Sequence, residues 1–302
     1  MNKSSQQVTR SIAPIMTDVC CCLCVQSKSM VAHLGTTQVM DAVVFESVNK
    51  VFTHQRGLFK RAKTEPGFAL HDISLRVNSG SVLALLGPNG SGKTTLLKLI
   101  STMLLPDQGR ILVHGLDTRK DAQEVRARVG FAISSDRSFF PRLTTRENLG
   151  FFAALDNVPP KPRRNRIEMI LARTGLLDGS EILAMNLSSG MCQKLAIARA
   201  LMKQPSVLLL DEPTRSLDPV SASQIRTLVH ELSAEGITVV IASHNFEEVA
   251  DVADSILVLR RGQIAESCNI SLMTAEAMQS FYLKTADAAD MREAACLLES
   301  VS

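Results

Sequence analysis

Four nearly unbroken apolar runs of strand length punctuate the chain, at Val82 to Leu86, Val207 to Leu210, Ile237 to Ala242 and Ser255 to Leu259. Runs of this kind belong to strands covered on both faces, as in a parallel sheet flanked by helices. Ala69 to Val77 roughly alternates apolar and polar positions, which predicts a strand with one solvated face. The β-branched and aromatic content of Val43 to Phe52 predicts an edge strand. A further strand, Arg110 to Gly115, follows the breaker Pro106-Asp107-Gln108-Gly109. Leu96 to Ile100 reads as helix, and so does most of Ser134 to Ala200, with Pro159-Pro160-Lys161-Pro162 expected as a linker in its middle. Ser221 to Ser233 supplies the crossover helix between two parallel strands, and the chain from Ser271 onward again reads as helical. Strands alternating with helices place the chain in the α/β class.

Composition narrows the function classes. The 302 residues are 45% apolar and 21% charged, enough for a full α/β core. A net charge of +3, one Tyr and no Trp give little basis for gripping or stacking on a polynucleotide, so no nucleic-acid partner is expected. No run of eighteen apolar residues occurs, so the chain is not expected to cross a membrane by itself. Cys20, Cys21, Cys22 and Cys24 lack a second pair at zinc-ligand spacing, and a reduced thiol cluster is the expectation. Residues 1–40 are expected to be a disordered extension. The basic stretch from His54 to Lys63 fits a solvated loop or a contact with acidic lipid headgroups.

The chemistry centres on Gly87-Pro88-Asn89-Gly90-Ser91-Gly92-Lys93-Thr94-Thr95, which joins the apolar run ending at Leu86 to a helix. Glycines let the backbone turn so that successive N–H groups converge, and the helix N-terminus adds its positive dipole end to the same point. This is the pattern of a P-loop, in which Lys93 reaches the β- and γ-phosphates of a nucleotide and the Thr94 hydroxyl ligates Mg²⁺. Two carboxylates, Asp211 and Glu212, end a second apolar strand, at the edge where parallel sheets bind ligands. Asp211 is the candidate to hold Mg²⁺ through water, and Glu212 the candidate to polarise an attacking water. His244 ends a third strand and could orient that water and donate to the γ-phosphate. Leu187-Ser188-Ser189-Gly190-Met191 precedes a helix beginning near Cys192, a second small-residue N-terminus suited to phosphate.

With these pieces in order, the chain from about Val43 to Glu266 resembles the ATP-binding subunit of an ATP-binding cassette (ABC) transporter. The resemblance implies a P-loop NTPase core with a mostly parallel sheet, an antiparallel β subdomain and an inserted helical subdomain. It divides the chain into an ATP-binding domain at 41–270, with the insertion at about 134–200, and a helical tail at 271–302. It also implies ATP and Mg²⁺ as cofactors and a dimer, with itself or a homologous ATPase subunit. In such a dimer the P-loop of one subunit and the signature Ser188, Ser189, Gly190 of the other sandwich each ATP, with the Asp218 loop at the interface. Phe52 matches the aromatic that stacks on adenine, although a buried strand Phe is the other reading.

Three positions depart from the family pattern: Ser134 stands where a Gln is usual, Ser189 replaces the second signature Gly, and Met191 replaces a Gln. The stretch from Arg137 to Leu149 looks like that of exporter-type ATPases, and the lack of a long C-terminal regulatory domain points the same way. The function implied is ATP hydrolysis that powers an exporter, peripheral on the cytoplasmic face of the cell membrane and coupled to a separate integral membrane subunit. Phe139, Phe140 and Leu143 are either a contact surface for that subunit or a local anchor for the helical insertion. The alternative function is a soluble ABC ATPase acting in DNA repair or on the ribosome.

Overall fold

The computed structural model describes residues 40–52, 67–133, 139–270 and 273–285. All but Met40 of the extension expected at residues 1–40, the basic stretch at 54–63 and Ser134 with its neighbours to 138 lie outside the described residues. The chain runs β1 (Asp41–Phe52), β2 (Gly67–Asn78), β3 (Val82–Leu86), α1 (Lys93–Ile100), β4 (Gln108–Val113), β5 (Leu116–Asp117), α2 (Ala122–Arg128) and β6 (Val129–Ile133). It continues with α3 (Thr145–Leu155), α4 (Pro160–Arg173), α5 (Ser189–Leu201), β7 (Val207–Asp211), α6 (Pro219–Ala234), β8 (Thr238–Ala242), α7 (Phe246–Val252), β9 (Ser255–Arg260) and β10 (Gln263–Asn269). A last helix, α8, covers residues 275–285.

Two sheets result. Six strands in the order β10-β9-β3-β8-β7-β6 form the larger, parallel throughout except for β10 at one edge. Four strands in the order β2-β1-β4-β5 form a smaller antiparallel sheet. The fold is therefore the α/β class expected, with both sheet types present.

The apolar runs are unbroken because each face of the large sheet has its own cover. Successive side chains of a strand point to opposite faces. Leu208 and Leu210 join one buried cluster with Leu195 and Ile197 of α5 and Ile225 and Leu228 of α6. Val207 and Leu209 join another, with Phe45 of β1 and Leu97 and Ile100 of α1. All five residues of β3 and of β8 are buried. The helices between β6 and β7 pack on one another. The Arg199 guanidinium of α5 lies 3.7 Å from the Phe152 ring centroid of α3, which helps fix where the N-terminus of α5 points.

Three details differ from the sequence expectation. β1 is not an edge strand, because it pairs with β2 on one side and β4 on the other. Its side-chain composition reports burial and carries no information on how many neighbours the backbone has. The expected proline linker is the first turn of α4, with Pro159 at the N-cap and Pro160 inside the helix start. Proline is favoured there because its missing N–H has no intrahelical acceptor. The short elements β5 and α2 and the polar strand β10 carried too little periodicity to be anticipated.

Leu209 is wholly buried between the sheets. Leu209→Ala should lower the unfolding free energy by about 2–5 kcal/mol, read from urea denaturation as a shifted midpoint with unchanged slope.

Candidate active site

The loop after β3 folds tightly enough to require glycine. Gly92 caps α1 with φ 109°, and a Cβ there would lie 2.6 Å from Leu70 Cδ2 and 2.7 Å from the Ala69 carbonyl oxygen. Lys93, the first residue of α1, is buried, and its Nζ donates to the Gly87 carbonyl at 2.6 Å and the Pro88 carbonyl at 3.2 Å. Burial pulls its pKa below the usual lysine value, and the nearby Glu212 and Asp211 charges partly offset this. The ammonium is thus turned onto its own loop, within a side chain's reach of any anion entering there. Ser91 Oγ is buried with no hydrogen-bond partner among the described residues. An orphaned hydroxyl in such a loop suits an incoming phosphate oxygen.

The carboxylates come from β7. Thr94 Oγ1 donates to Asp211 Oδ2 at 3.0 Å, so the helix after β3 and the end of β7 meet through hard oxygen atoms. No group of three or more His, Cys, Asp or Glu side chains arranged for a metal occurs among the described residues. One hydroxyl and one carboxylate, with water and phosphate completing the shell, are the donor set that suits Mg²⁺ and not a metal needing an all-protein cage. Glu212 has φ 52°, a left-handed conformation unusual for a side chain of its size, and its N–H donates to the Ala242 carbonyl at 2.8 Å. Its Oε2 lies 2.6 Å from His244 Nδ1. If Nδ1 carries the proton of a neutral imidazole, Nε2 is left as an acceptor. The donation to phosphate expected from sequence then requires the imidazolium or a turned ring.

A cavity of about 400 Å³ gathers Phe52, loop residues 89–95, Asp211, Glu212 and Arg215. Phe52 is 39% exposed and so is not a buried strand residue. Arg215 lines the cavity with no sequence argument having singled it out, although it follows the carboxylate pair in the same run, Asp211-Glu212-Pro213-Thr214-Arg215. Ser188, Ser189, Gly190, Asp218 and His244 do not line it. Ser188 caps α5, its Oγ accepting from Met191 N at 3.2 Å, and Asp218 caps α6, accepting from Val220 N and Ser221 N at 3.0 Å. Those hydrogen bonds, with one from the Ser221 side chain foremost, hold the Asp218 carboxyl below its ordinary pKa. A Cβ on Gly190 would come within 2.7 Å of Ser221 Oγ, so the starts of α5 and α6 pack in contact.

Glu248, on α7, was also not foreseen. It is 2% exposed, and its carboxyl accepts a hydrogen bond from the Ser243 hydroxyl and interacts with the Thr214 hydroxyl. Burial pushes its pKa up against the lowering effect of those contacts, and the Glu212 charge adds to the rise.

Fold and site together define a nucleotide-binding P-loop cassette. A sequence model of the ABC transporter family matches residues 70–215. The ABC transporter ATP-binding protein NatA of Bacillus subtilis (strain 168) is 38% identical over 196 residues, spanning 65% of this chain and 80% of NatA. The sulfate/thiosulfate import ATP-binding protein CysA of Synechocystis sp. (strain ATCC 27184 / PCC 6803 / Kazusa) is 39% identical over 200 residues, 66% of this chain but only 56% of CysA. Among solved structures, the dimeric post-hydrolysis state of the ATP-binding cassette MJ0796 with ADP and Pi superposes with a TM-score of 0.66 at 27% identity, covering 76% of this chain and 98% of that one. The chain belongs to the ABC transporter family as an ATP-binding subunit, a family whose members hydrolyse ATP.

The raised pKa of Glu248 has a consequence for stability. Above its ordinary carboxyl range the unfolded chain releases this proton while the folded chain keeps it, so the group's contribution to stability falls as pH rises through that window. Glu248→Gln removes the titration. Urea denaturation from pH about 4 to about 7 should show the variant gaining stability relative to the parent as pH rises.

Proposed function

We propose that this chain hydrolyses Mg-ATP to drive an exporter whose membrane-spanning part is a separate integral membrane subunit. It works as a dimer with itself or a homologous ATPase subunit, peripheral on the cytoplasmic face of the membrane. The observation that carries the reading is the single cavity into which Lys93, Thr94, Asp211 and Glu212 converge below an exposed Phe52. Phe52 stacks on adenine, the backbone N–H groups of residues 89–95 cradle the phosphates, and Lys93 leaves the Gly87 and Pro88 carbonyls for the β- and γ-oxygens. Thr94 and Asp211 would hold Mg²⁺, which would neutralise charge on the triphosphate. Glu212 takes a proton from the attacking water, and His244, bonded to it, orients the carboxylate. Ser188, Ser189 and Gly190 face a partner's γ-phosphate, and Asp218 sits at the same interface. Their place outside the cavity of their own chain supports this trans arrangement.

The proposed domain division keeps 41–270 as the ATP-binding domain with its helical insertion, followed by the tail at 271–302. Support for a separate membrane subunit comes from the relatives named as ATP-binding proteins of transporters. Among the described residues no helix is long and apolar enough to cross a membrane. The exporter assignment rests on the stretch ending at Leu149, while the relative CysA is named for import.

Docking on that subunit has a candidate contact. Phe139 packs against the buried cluster that includes α5, 6.0 Å between centroids from Phe152 of α3, and so serves as a local anchor. Phe140 is 44% exposed and stacks edge-on at 4.5 Å with the likewise exposed Phe151, leaving an aromatic face open for a partner.

Glu212→Gln should bind Mg-ATP but lose turnover by about a hundred- to ten-thousandfold, and should accumulate as an ATP-bound dimer on size-exclusion chromatography. Near-normal ATPase in the purified variant would remove Glu212 from this role. Phe140→Ala should keep basal ATPase and melting temperature but weaken co-purification with membranes, since an aromatic at an interface centre is worth about 2 kcal/mol or more. Lost thermal stability with membrane recovery unchanged would make Phe140 a core residue instead.

A further inference from the structure

Glu248 touches neither the nucleotide cavity nor any group assigned a step above, yet its carboxyl is taken almost wholly out of water. Such a group is kept only where hydrogen bonds compensate its desolvation. The compensation here is directional. Ser243 Oγ donates to Glu248 Oε2, and the Thr214 hydroxyl interacts with the same carboxyl. Ser243 immediately precedes His244, and Thr214 follows Glu212 by one intervening residue, Pro213. The Ser243 hydroxyl also accepts from Asn245 N at 3.1 Å, and the Asn245 side chain caps α7 by accepting from Glu247 N at 2.9 Å and Glu248 N at 3.2 Å.

One buried carboxyl therefore cross-links the loop after β7 to the loop after β8, behind the contact of 2.6 Å between Glu212 and His244. Glu212 needs such support, because a left-handed backbone at a Glu persists only when its surroundings over-determine it. The charges that act on this carboxyl are those of Glu212 and of Arg226 of α6, and Arg226 is engaged with Asp251 at 2.7 Å. The hydroxyls of Ser243 and Thr214 are thus what fixes its orientation.

We infer that Glu248 is a positioning residue for ATP hydrolysis: by holding Ser243 and Thr214 it sets the spacing of the Glu212–His244 pair without contacting nucleotide. The inference rests on the roles given to Glu212 and His244 above. A role limited to packing α7 would lower stability but leave no signature in the hydrolytic step.

Steady-state ATPase of the full chain, with turnover normalised to folded protein, separates these cases. Glu248→Ala should lower kcat by about a hundredfold, the order expected of a displacement near 1 Å in a reacting group, with KM for Mg-ATP within about twofold. Glu248→Gln keeps the acceptor oxygen and should restore most of the turnover. In a Glu212→Gln background, single-turnover hydrolysis should show Glu248→Ala costing less than about threefold more, because the group it positions is already disabled. If Glu248→Ala does not fold, Ser243→Ala and Thr214→Val each remove one arm and carry the same comparison. Equal losses in both backgrounds, unchanged kcat in folded Glu248→Ala, or a rise in KM that accounts for the loss would each overturn the inference while leaving Glu212 in place. Near-normal turnover in Glu212→Gln alone would overturn the general-base reading and this inference with it.

Discussion

The site depends on one constraint, the parallel register of three neighbouring strands. Ala242 at the end of β8 lies opposite Leu85 of β3 on one side and Asp211 of β7 on the other. Because the three strands run in the same direction and stop at the same height, their outgoing loops share one edge of the sheet. That edge receives the phosphate loop from β3, Asp211 and Glu212 from β7, and His244 from β8. Shifting any of these strands by one residue would turn its buried side chains to the opposite face. The helices that cover both faces protect this register, since they reward continuous apolar strands and penalise any slip.

Within that frame the protein places charge where water is scarce. Lys93 is buried and donates to the Gly87 and Pro88 carbonyls, and Asp211 is bridged to Thr94. A site lined by carboxylates is a poor host for a bare triphosphate and a good one for its magnesium complex, because the cation reverses the sign that the acids experience. Glu212 adds backbone strain, tied down by its N–H bond to the end of β8 and by the buried carboxyl of Glu248 behind it. Strained or desolvated groups of this kind weaken the fold locally, and they survive because the strands beneath are rigid.

In the proposed arrangement the chain supplies half of each catalytic site. The starts of α5 and α6 pack together through Gly190 and Ser221, so Ser188 and Asp218 form one exposed surface separate from the cavity. The MJ0796 cassette, a structural neighbour, is a dimer bound to ADP and Pi. Stacking of Arg199 on Phe152 ties the helix that begins at Ser188 to the aromatic group around Phe140.

Much of this was written locally in the chain. The runs ending at Leu86, Leu210 and Ala242 announced their strands because burial on both faces demands uninterrupted apolar side chains. The phosphate loop, the carboxylate pair and His244 were legible because each follows its strand directly, so local sequence fixes its place at the sheet edge. The interior position of β1, the helical start at Pro160, the lining by Arg215 and the buried Glu248 were not legible. Periodicity records whether a side chain is covered but not which strand or helix covers it. Proline is read as a breaker unless the helix boundary is already known. A carboxylate that bonds to loops from two other strands looks in sequence like any other acid on an amphipathic helix. Those choices belong to contacts between residues far apart in the chain, and only the tertiary structure could make them.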